Sequence, residues 1–271
     1  MDNLSSVQKR LLAMMDWFHA YCQMNNLKYY MIGGSMLGAV RHQGFIPWDD
    51  DIDVGMPRLD YERLIILMNK EMEGQYRLES YKNGAPDYTF PFAKLYDTTT
   101  TLIEERRPLL KRGLFLDIFP LDGVGNNPLW DKEYKKFRFR KNVLSVITAR
   151  IHKEYSLKLN TLILFSSFIP GRLKIVKVLQ NRIDIFCSCF PFDAASNVAN
   201  LVGSRKEKEI LPREFFGNPI LYSFEGRTYY GVEEADKYLS TLIGDYMTLP
   251  PVSERQGHLT DCCDLSKGYI R

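Results

Sequence analysis

Four aspartates lie within five positions of this chain, in the run Trp48-Asp49-Asp50-Asp51-Ile52-Asp53-Val54. Residues 51–54 alternate polar and apolar, a pattern that predicts a half-buried strand with Asp51 and Asp53 on the same face. Two carboxylates that close together repel each other, and a divalent cation with oxygen ligands relieves the repulsion. The run therefore predicts a Mg²⁺ or Mn²⁺ site at Asp51 and Asp53, with Asp49 as a further candidate ligand. A solvated acidic turn is the alternative interpretation.

A glycine turn precedes these aspartates. Residues 28–32 are aromatic and β-branched enough for a short strand, Gly33-Gly34 ends it, and Ser35 suits the N-cap of a helix that runs to about His42. A helix N-terminus behind a glycine turn presents N–H donors and the positive end of the helix dipole, which suits phosphate. Gly33, Gly34 and Ser35 are therefore candidate substrate-binding residues, although such a turn by itself is more often structural.

The order strand, glycine turn, helix and Asp-x-Asp strand resembles the nucleotidyltransferase fold, in which a metal pair usually gains a third carboxylate from another strand. Asp117 is the best candidate because it lies in the otherwise apolar strand predicted at 114–119; a strand-end cap or a partner for an arginine is the alternative. Lys94, within the apolar strand predicted at 90–96, is expected either over the substrate phosphates or reaching out of an edge strand. Asp122 follows Pro120-Leu121 and is expected in a turn.

Composition favours a cytoplasmic enzyme. The chain has 271 residues, of which 45% are hydrophobic, enough for one large domain or a catalytic domain with an appendage. Its formal net charge of +3 is nearly balanced, so we expect no nucleic-acid partner. The N-terminal residues show neither a basic nor an apolar signal region. The five cysteines are expected to be reduced. A four-thiolate zinc site is less favoured, because the cysteine spacings are not those of common zinc ribbons; its ligands would be Cys187, Cys189, Cys262 and Cys263.

Periodicity and turn signals predict the other elements. Ser5-x-x-Gln8 is a capping box for a helix to about Met24 that buries Leu11, Leu12, Met15, Phe18 and Cys22. A second amphipathic helix is expected over 58–73, with Leu59, Leu64, Ile65, Leu67 and Met68 inward. Strands are expected at 76–81, 90–96, 101–104 and 114–119, a hairpin around Glu225-Gly226-Arg227, and a helix over 232–243 that Gly244 ends.

Together these elements predict an α+β fold: a nucleotidyltransferase-like mixed sheet with flanking helices, plus a helical second lobe. We expect a catalytic core at 1–125 and a mainly helical lobe at 126–271, whose C-terminal hairpin and helix complete the active site. Residues 134–141 are interpreted as a solvated basic helix face. Residues 159–169 are apolar but end at Pro170-Gly171, too early for a membrane-spanning helix. They predict a buried helix of the second lobe, or alternatively a helix resting on the inner membrane leaflet, with Arg172, Lys174 and Lys177 toward anionic lipid.

The chain resembles the LicD family, bacterial phosphocholine transferases related to fukutin and fukutin-related protein. The resemblance is most specific over Ile32-Gly33-Gly34-Ser35-Met36-Leu37-Gly38-Ala39-Val40-Arg41-His42-Gln43-Gly44-Phe45-Ile46-Pro47-Trp48-Asp49-Asp50-Asp51-Ile52-Asp53-Val54. It continues in Phe115-Leu116-Asp117-Ile118-Phe119-Pro120-Leu121-Asp122, Phe224-Glu225-Gly226-Arg227 and Gly244-Asp245-Tyr246-Met247, and then in Arg255 and His258. It covers residues of about 10–260, with the middle similar in character only.

This resemblance implies a CDP-choline donor, or another CDP-alcohol, and a sugar hydroxyl on a cell-surface glycan or lipid-linked glycan precursor, such as lipopolysaccharide or teichoic acid, as acceptor. The acceptor would attack the choline-bearing phosphorus and CMP would leave. Arg255 and His258 become substrate-binding candidates; a solvated pair is the alternative. Arg41 is a further candidate phosphate contact. Trp48, Tyr96 and Phe45 are candidates for an aromatic cage around choline.

Two other functions compete with phosphoalcohol transfer. A true nucleotidyltransferase would release pyrophosphate instead of CMP, and a non-catalytic glycan-binding protein would release neither. The complete Gly33-Gly34-Ser35 turn together with Asp51 and Asp53 argues against a non-catalytic protein, because a decayed enzyme usually loses a carboxylate first.

Overall fold

A computed structural model of the chain describes residues 5–70, 74–84, 87–255 and 263–269. These residues form seven α-helices, a mixed nine-stranded sheet and a small three-stranded antiparallel sheet, so the predicted α+β class is confirmed. The helices are α1 Ser6–Met24, α2 Gly33–His42, α3 Arg58–Met68, α4 Pro128–Thr148, α5 Leu157–Ser166, α6 Arg172–Cys187 and α7 Ala235–Ile243. The strands are β1 Tyr30–Met31, β2 Asp53–Pro57, β3 Tyr76–Glu79, β4 Ala93–Asp97, β5 Thr101–Glu104, β6 Leu110–Arg112, β7 Phe115–Val124, β8 Asn197–Ala199, β9 Ile210–Pro212, β10 Ile220–Phe224, β11 Arg227–Gly231 and β12 Cys263–Asp264.

The large sheet has the order β10-β11-β1-β2-β7-β4-β3. β8 pairs with the C-terminal residues 122–124 of β7, and β9 pairs with β8. β2 runs parallel to β7, and β1 runs parallel to β11, while the other pairs are antiparallel. β2, β7 and β4 therefore lie side by side at the centre of the sheet. Val54, Leu95, Leu116 and Ile118 from these strands are fully buried in the main core, so the central strands are held firmly in register.

The first helix forms as its sequence predicts. The Ser5 hydroxyl accepts from the Gln8 N–H at 3.1 Å, and the Gln8 side chain accepts from the Ser5 N–H at 3.0 Å, which completes the capping box. The five residues expected to face inward are all buried, including Leu11 and Phe18. α1 packs against β7, and the Gln8 side-chain amide donates to the Asp49 carbonyl at 2.8 Å, so the helix lies next to the aspartate run.

α3 buries Leu64, Ile65 and Met68 as predicted and packs Leu67 partly against the core, but its first turn differs from the prediction. Leu59 is 68% exposed, so its inward assignment is wrong, whereas Arg58 is buried beneath the helix. Arg58 makes two hydrogen bonds to Asp122, at 2.7 and 2.6 Å, and a third to Asp184 at 2.7 Å. Asp122 is therefore not a turn residue but a buried residue of β7. Its ion pair with the Arg58 guanidinium compensates the cost of burying the carboxylate.

The C-terminal hairpin joins the main sheet. The predicted hairpin is confirmed: β10 and β11 are connected by Glu225 and Gly226, which have positive φ values of 51° and 74°, and Arg227 already belongs to β11. β11 pairs with β1, which brings α7 next to α2, and α7 ends at Gly244 with φ 93° as expected. These contacts connect residues after 197 to the sheet of residues 30–124; the division into domains at residue 125 stays a prediction.

The helical region does not bury the apolar segment as we expected. Within α5 only Ile163 and Ser166 are buried, whereas Leu157 is 84% and Phe165 is 68% exposed. The interpretation of residues 159–169 as a buried helix is therefore wrong. Across the part of the chain that the structure describes, no helix combines the length and apolar character needed to cross a bilayer.

Candidate active site

The glycine turn lies directly against the aspartates. Gly33 is the first residue of α2 and has φ +55°, and its N–H donates to the Tyr238 hydroxyl at 3.0 Å. A Cβ atom at Gly33 would lie 3.5 Å from Asp53 Oδ2, and one at Gly34 would lie 2.9 Å from Asp49 Oδ2. The missing side chain at Gly34 therefore lets the N-terminus of α2 approach Asp49 closely, whereas at residue 33 it is the positive φ that favours glycine.

Ser35 has a different position from the one expected. The N-cap of α2 is Ile32, and Ser35 lies inside the helix, so the N-cap assignment is wrong. Its buried hydroxyl accepts from the Asp53 N–H at 2.8 Å. Ser35 thus connects α2 to the start of β2 and holds the backbone of Asp53, while the cavity described below is lined by Gly33 and Gly34 rather than by Ser35.

The aspartates converge because of the strand register. β2 begins at Asp53, so Asp51 precedes the strand instead of belonging to it, although Ile52 and Val54 are buried and the predicted alternation of burial persists. Asp53 pairs directly with Asp117 across the parallel β2–β7 ladder. Neighbouring strands are about 4.8 Å apart, so the two side chains leave adjacent backbones on the same face of the sheet.

Lys94 lies on the next strand and faces Asp117. Their Cα atoms are partners in the β4–β7 ladder, and Lys94 Nζ lies 3.2 Å from Asp117 Oδ1 and 2.7 Å from Glu104 Oε1. The lysine side chain is 2% exposed and its ammonium lies over the Phe115 ring, 3.2 Å from the centroid. Lys94 therefore neither reaches out of an edge strand nor lines the cavity; it is a buried counter-charge behind Asp117.

Burial raises the pKa of these carboxyl groups. For Asp117, burial raises the pKa to about 7, assisted by Glu104 and Asp51 and opposed by Lys94. For Asp53, burial and then the charges of Asp51, Asp117 and Asp49 raise the pKa well above the usual range. The pKa of Asp49 is raised by burial in the same way. One lysine does not offset the repulsion among these carboxylates, so an additional cation would stabilise their ionised forms.

The chemistry of these donors fits a divalent cation. All four candidate ligands, Asp49, Asp51, Asp53 and Asp117, line one cavity and offer hard carboxylate oxygens. Asp117 Oδ1 is buried and, despite its ion pair with Lys94, accepts no hydrogen bond of acceptable geometry. Within the described residues, no three His, Cys, Asp or Glu side chains already surround a point suitable for a metal ion. Binding would therefore require small rotations of these side chains.

The cavity has a volume of about 800 Å³. Its acidic side comes from the residues around β2 and β7, and its other sides come from residues 90–92, Arg106, α4, α7 and residues 200–209. Sequence reasoning missed several of the lining residues: Phe90, Phe92, Arg106, Phe119, Lys141, Asn200, Arg205, Glu209 and Tyr238. They are scattered over 149 positions of sequence, so no local motif identified them. Lys141 is not part of a solvated basic face as predicted. Its ammonium donates to the backbone carbonyls of Leu201 and Gly203, and burial lowers its pKa.

Several predicted contacts lie away from the cavity. The Arg41 guanidinium donates to the Tyr246 carbonyl at 2.7 Å. The Arg255 guanidinium lies over the Trp48 ring, 5.0 Å from its centroid. Trp48 lines the cavity, but Arg255 does not. Phe45 packs against Phe224 at 4.9 Å between ring centroids.

Tyr96 is equally remote, because it is fully buried in a separate aromatic cluster with Phe115. Of the three aromatic residues predicted to contact choline, only Trp48 is therefore placed to do so. His258 and Cys262 lie outside the described residues.

Comparison with known proteins identifies the family. Residues 26–151 match the model described as "LicD/FKTN/FKRP, nucleotidyltransferase domain". Over 255 residues, 91% of this chain and 92% of the relative, the chain is 31% identical to "Lipopolysaccharide cholinephosphotransferase LicD" of Haemophilus influenzae. The chain belongs to the LicD family. It is also 39% identical over 64 residues to an uncharacterised protein of Rickettsia typhi, covering 24% of this chain and 21% of that protein.

Membership of the LicD family confirms the resemblance seen in the sequence and makes the chain a transferase. The segment matched by the family model contains the glycine turn, the aspartate run, Lys94 and Asp117. The remaining cavity residues, including Arg205, Glu209 and Tyr238, come from the C-terminal third. The candidate site of this LicD-family protein is therefore lined by both parts of the chain.

Proposed function

We propose that this LicD-family transferase moves phosphocholine from CDP-choline to a sugar hydroxyl of lipopolysaccharide or a related cell-surface glycan precursor, with release of CMP. The observation that carries the proposal is the in-register pair Asp53–Asp117 facing the glycine backbone of α2 inside one cavity. The printed name of the Haemophilus influenzae relative supports the choice of phosphocholine and lipopolysaccharide. A cavity of about 800 Å³ is also within the usual range for a small-molecule site.

Asp51, Asp53 and Asp117 would hold Mg²⁺ or Mn²⁺, with Asp49 as a fourth ligand. A bound divalent ion would neutralise charge that develops on the transferring phosphoryl group. The carboxylates of this chain suit that ion because their raised pKa values reflect mutual repulsion and burial, both of which a cation relieves. The charge balance of the residues themselves therefore supports the proposed metal dependence.

The phosphates of the donor would lie between the N-terminus of α2 and the cationic side of the cavity. Gly33 and Gly34 leave room there for phosphate oxygens and provide the positive end of the helix dipole. Lys141 and Arg205, on the other sides of the cavity, add positive charge at positions contributed by α4 and residues 200–209. The resulting field favours a diphosphate over a neutral ligand.

Asp117 is suited to one of two roles. As a ligand it would be fully ionised; as a general base, its pKa of about 7 would let it accept the proton of the attacking sugar hydroxyl near neutral pH. The two roles differ in the effect of Asp117→Glu, since a longer carboxylate retains basicity but displaces a metal ion.

An aromatic surface would receive the trimethylammonium group. Phe92 and Phe119 line the cavity with ring centroids 4.4 Å apart, and Trp48 lines it from the aspartate run. The faces of aromatic rings attract quaternary ammonium groups. Phe90 is less suitable, because the Arg106 guanidinium already lies 4.2 Å from its centroid.

The test is a calorimetric titration with CDP-choline, CDP-ribitol, CDP-glycerol, ATP and UTP, each with Mg²⁺, followed by product analysis. We expect preference for CDP-choline and release of CMP. Preference for a nucleoside triphosphate with release of pyrophosphate would instead identify a true nucleotidyltransferase. Binding of the glycan without turnover of any nucleotide would identify a glycan-binding protein.

Two aspartate variants test the metal assignment. Asp51→Asn and Asp53→Asn should each retain less than a tenth of wild-type turnover, a loss above about 1.4 kcal/mol in the barrier, and EDTA should reproduce that loss. Asp50→Asn is the matched control, because Asp50 belongs to the same run but does not line the cavity. Retention of activity in either ligand variant would refute the assignment.

A further inference from the structure

α5 presents its apolar residues to solvent rather than to the core. Leu157, Leu164 and Phe165 are at positions i, i+7 and i+8, which share one helix face, and they are 84%, 47% and 68% exposed. The buried residues Ile163 and Ser166 lie on the other side. Phe168, in the loop that follows, is 77% exposed. The face defined by Leu157, Leu164, Phe165 and Phe168, called the α5 face below, is therefore an exposed hydrophobic patch and not an isolated leucine.

The segment that contains the α5 face carries positive charge only between its flanking acids, Glu154 and Asp184. Residues 155–183 contain no aspartate or glutamate, whereas they contain Lys158, Arg172, Lys174, Lys177 and Arg182. Lys158, Lys174, Lys177 and Arg182 are exposed. A segment with exposed aromatic and leucine side chains and a one-sided positive charge has the composition of a helix that lies in a bilayer interface.

A groove between α4 and α6 repeats this combination. It has a volume of about 670 Å³. Phe139, Ile175, Val178 and Leu179 provide its apolar surface, and its charged rim consists of Lys135, Lys136, Arg140, Lys174 and Arg182. α4 packs against both α5 and α6, so the groove and the α5 face belong to one helical unit. Apolar side chains bordered by cations alone again match an anionic lipid surface.

We propose that the α5 face and the adjoining basic residues of α6 bind the surface of an anionic phospholipid bilayer. α5 has 10 residues and is therefore about 15 Å long, half of what a spanning helix needs, so it lies along the interface. A second copy of this chain is the less suitable occupant, because a symmetric contact would bring two surfaces with the same positive charge together. A bilayer supplies both an apolar layer and the opposite charge.

The experiment is sedimentation of the full chain with vesicles of phosphatidylcholine alone and of phosphatidylcholine with 30% phosphatidylglycerol. We expect binding to the anionic vesicles that weakens as salt increases. Phe165→Ser with Phe168→Ser should lower the partition coefficient at least tenfold. Lys174→Gln with Lys177→Gln should lower it about fivefold for each charge removed. These side chains are exposed, so the variants should keep the wild-type melting temperature and the wild-type affinity for CDP-choline.

Matched controls distinguish binding through the α5 face from nonspecific adsorption of the protein to vesicles. Leu59→Ser removes an apolar side chain that is 68% exposed on α3, and Lys70→Gln with Lys237→Gln removes two exposed charges elsewhere. Both should leave vesicle binding unchanged. The proposal is overturned if the wild type binds neither vesicle type, or if the phenylalanine double variant binds as well as the wild type. A concentration-dependent dimer abolished by that double variant, without vesicle binding, would also overturn it and assign the α5 face to a second copy.

Discussion

Asp117→Asn should stabilise the metal-free protein at alkaline pH while it removes activity. The pKa of Asp117 is raised from 3.8 to about 7 in the folded state, so folding takes up a proton between these two values. Stability contributed by the protonated carboxyl is therefore fully present below about pH 4 and is lost as the pH rises through 7. Linkage gives a loss of about 2–3 kcal/mol between pH 5 and pH 8 from this group alone. Asparagine does not titrate, so the variant should not show this loss.

The assay is urea denaturation of both proteins in EDTA at pH 5, 6, 7 and 8. The free energy of unfolding of Asp117→Asn relative to wild type should increase by about 2–3 kcal/mol across this range. Removing Asp117 also removes one cause of the raised pKa of Asp53, and this secondary change increases the difference between the two proteins in the same direction. A difference that stays constant within about 0.5 kcal/mol would mean that Asp117 titrates near its ordinary value, and would refute the electrostatic description of the site.

Asp184→Asn is the control of opposite sign. Burial raises the pKa of Asp184, but Arg58, Tyr81 and Lys82 lower it more, so the net shift is downward. The carboxylate is then ionised in both states from pH 5 to pH 8, and its removal should cost a constant free energy over that range. Mg²⁺ adds a second control: an ion at 100 times its dissociation constant stabilises the wild type by about 2.7 kcal/mol, and Asp117→Asn should gain less.

Three further substitutions test the residues that position the carboxylates and the glycine turn of the candidate site. Lys94→Met leaves Asp117 and Glu104 without their shared cation and should lower the free energy of unfolding by about 3–5 kcal/mol in urea denaturation, with partial recovery in Mg²⁺. Gly38→Ala places a Cβ atom 2.5 Å from the Gly44 carbonyl oxygen and should cost about 1–3 kcal/mol by thermal melting, whereas Gly74→Ala, with its nearest atom at 3.9 Å, should be neutral. Tyr238→Phe removes the acceptor for the Gly33 N–H and should cost about 0.5–1.5 kcal/mol and raise the KM for the donor in steady-state assays.

The sequence predicted those features that depend on local pattern. The capping box at Ser5, the turn at Glu225-Gly226 and the end of α7 at Gly244 each follow from a few adjacent residues with fixed backbone preferences. The close approach of Gly33 to Asp53 was also predictable in outline, because a glycine turn and alternating aspartates follow each other within 20 positions of sequence.

Features that depend on distant contacts were mispredicted. Asp122 looked like a turn residue after proline, and only Arg58, 64 positions away, explains its burial in β7. Ser35 is of a residue type typical of an N-cap, but its hydroxyl accepts from the Asp53 N–H, and the N-cap is Ile32, three residues earlier. The high apolar content of α5 predicted a core helix. Whether another element packs over its apolar face depends on tertiary contacts that the sequence pattern does not contain. The cationic residues Lys141 and Arg205 reach the cavity through tertiary packing alone.

The pairing of buried charges elsewhere in the protein supports the proposal that the carboxylate cavity binds a cation. Buried acids outside it have a guanidinium partner: Asp122 pairs with Arg58, which also pairs with Asp184, and Glu79 pairs with Arg112 at 3.0 Å. In the cavity, Lys94 is shared between Glu104 and Asp117 while Asp49, Asp51 and Asp53 add further negative charge on the same side. Because such repulsion destabilises the folded state, a purely structural role does not account for this arrangement. A cation on the acidic side, and phosphates joining it to Lys141 and Arg205, would complete the charge balance that the protein leaves open.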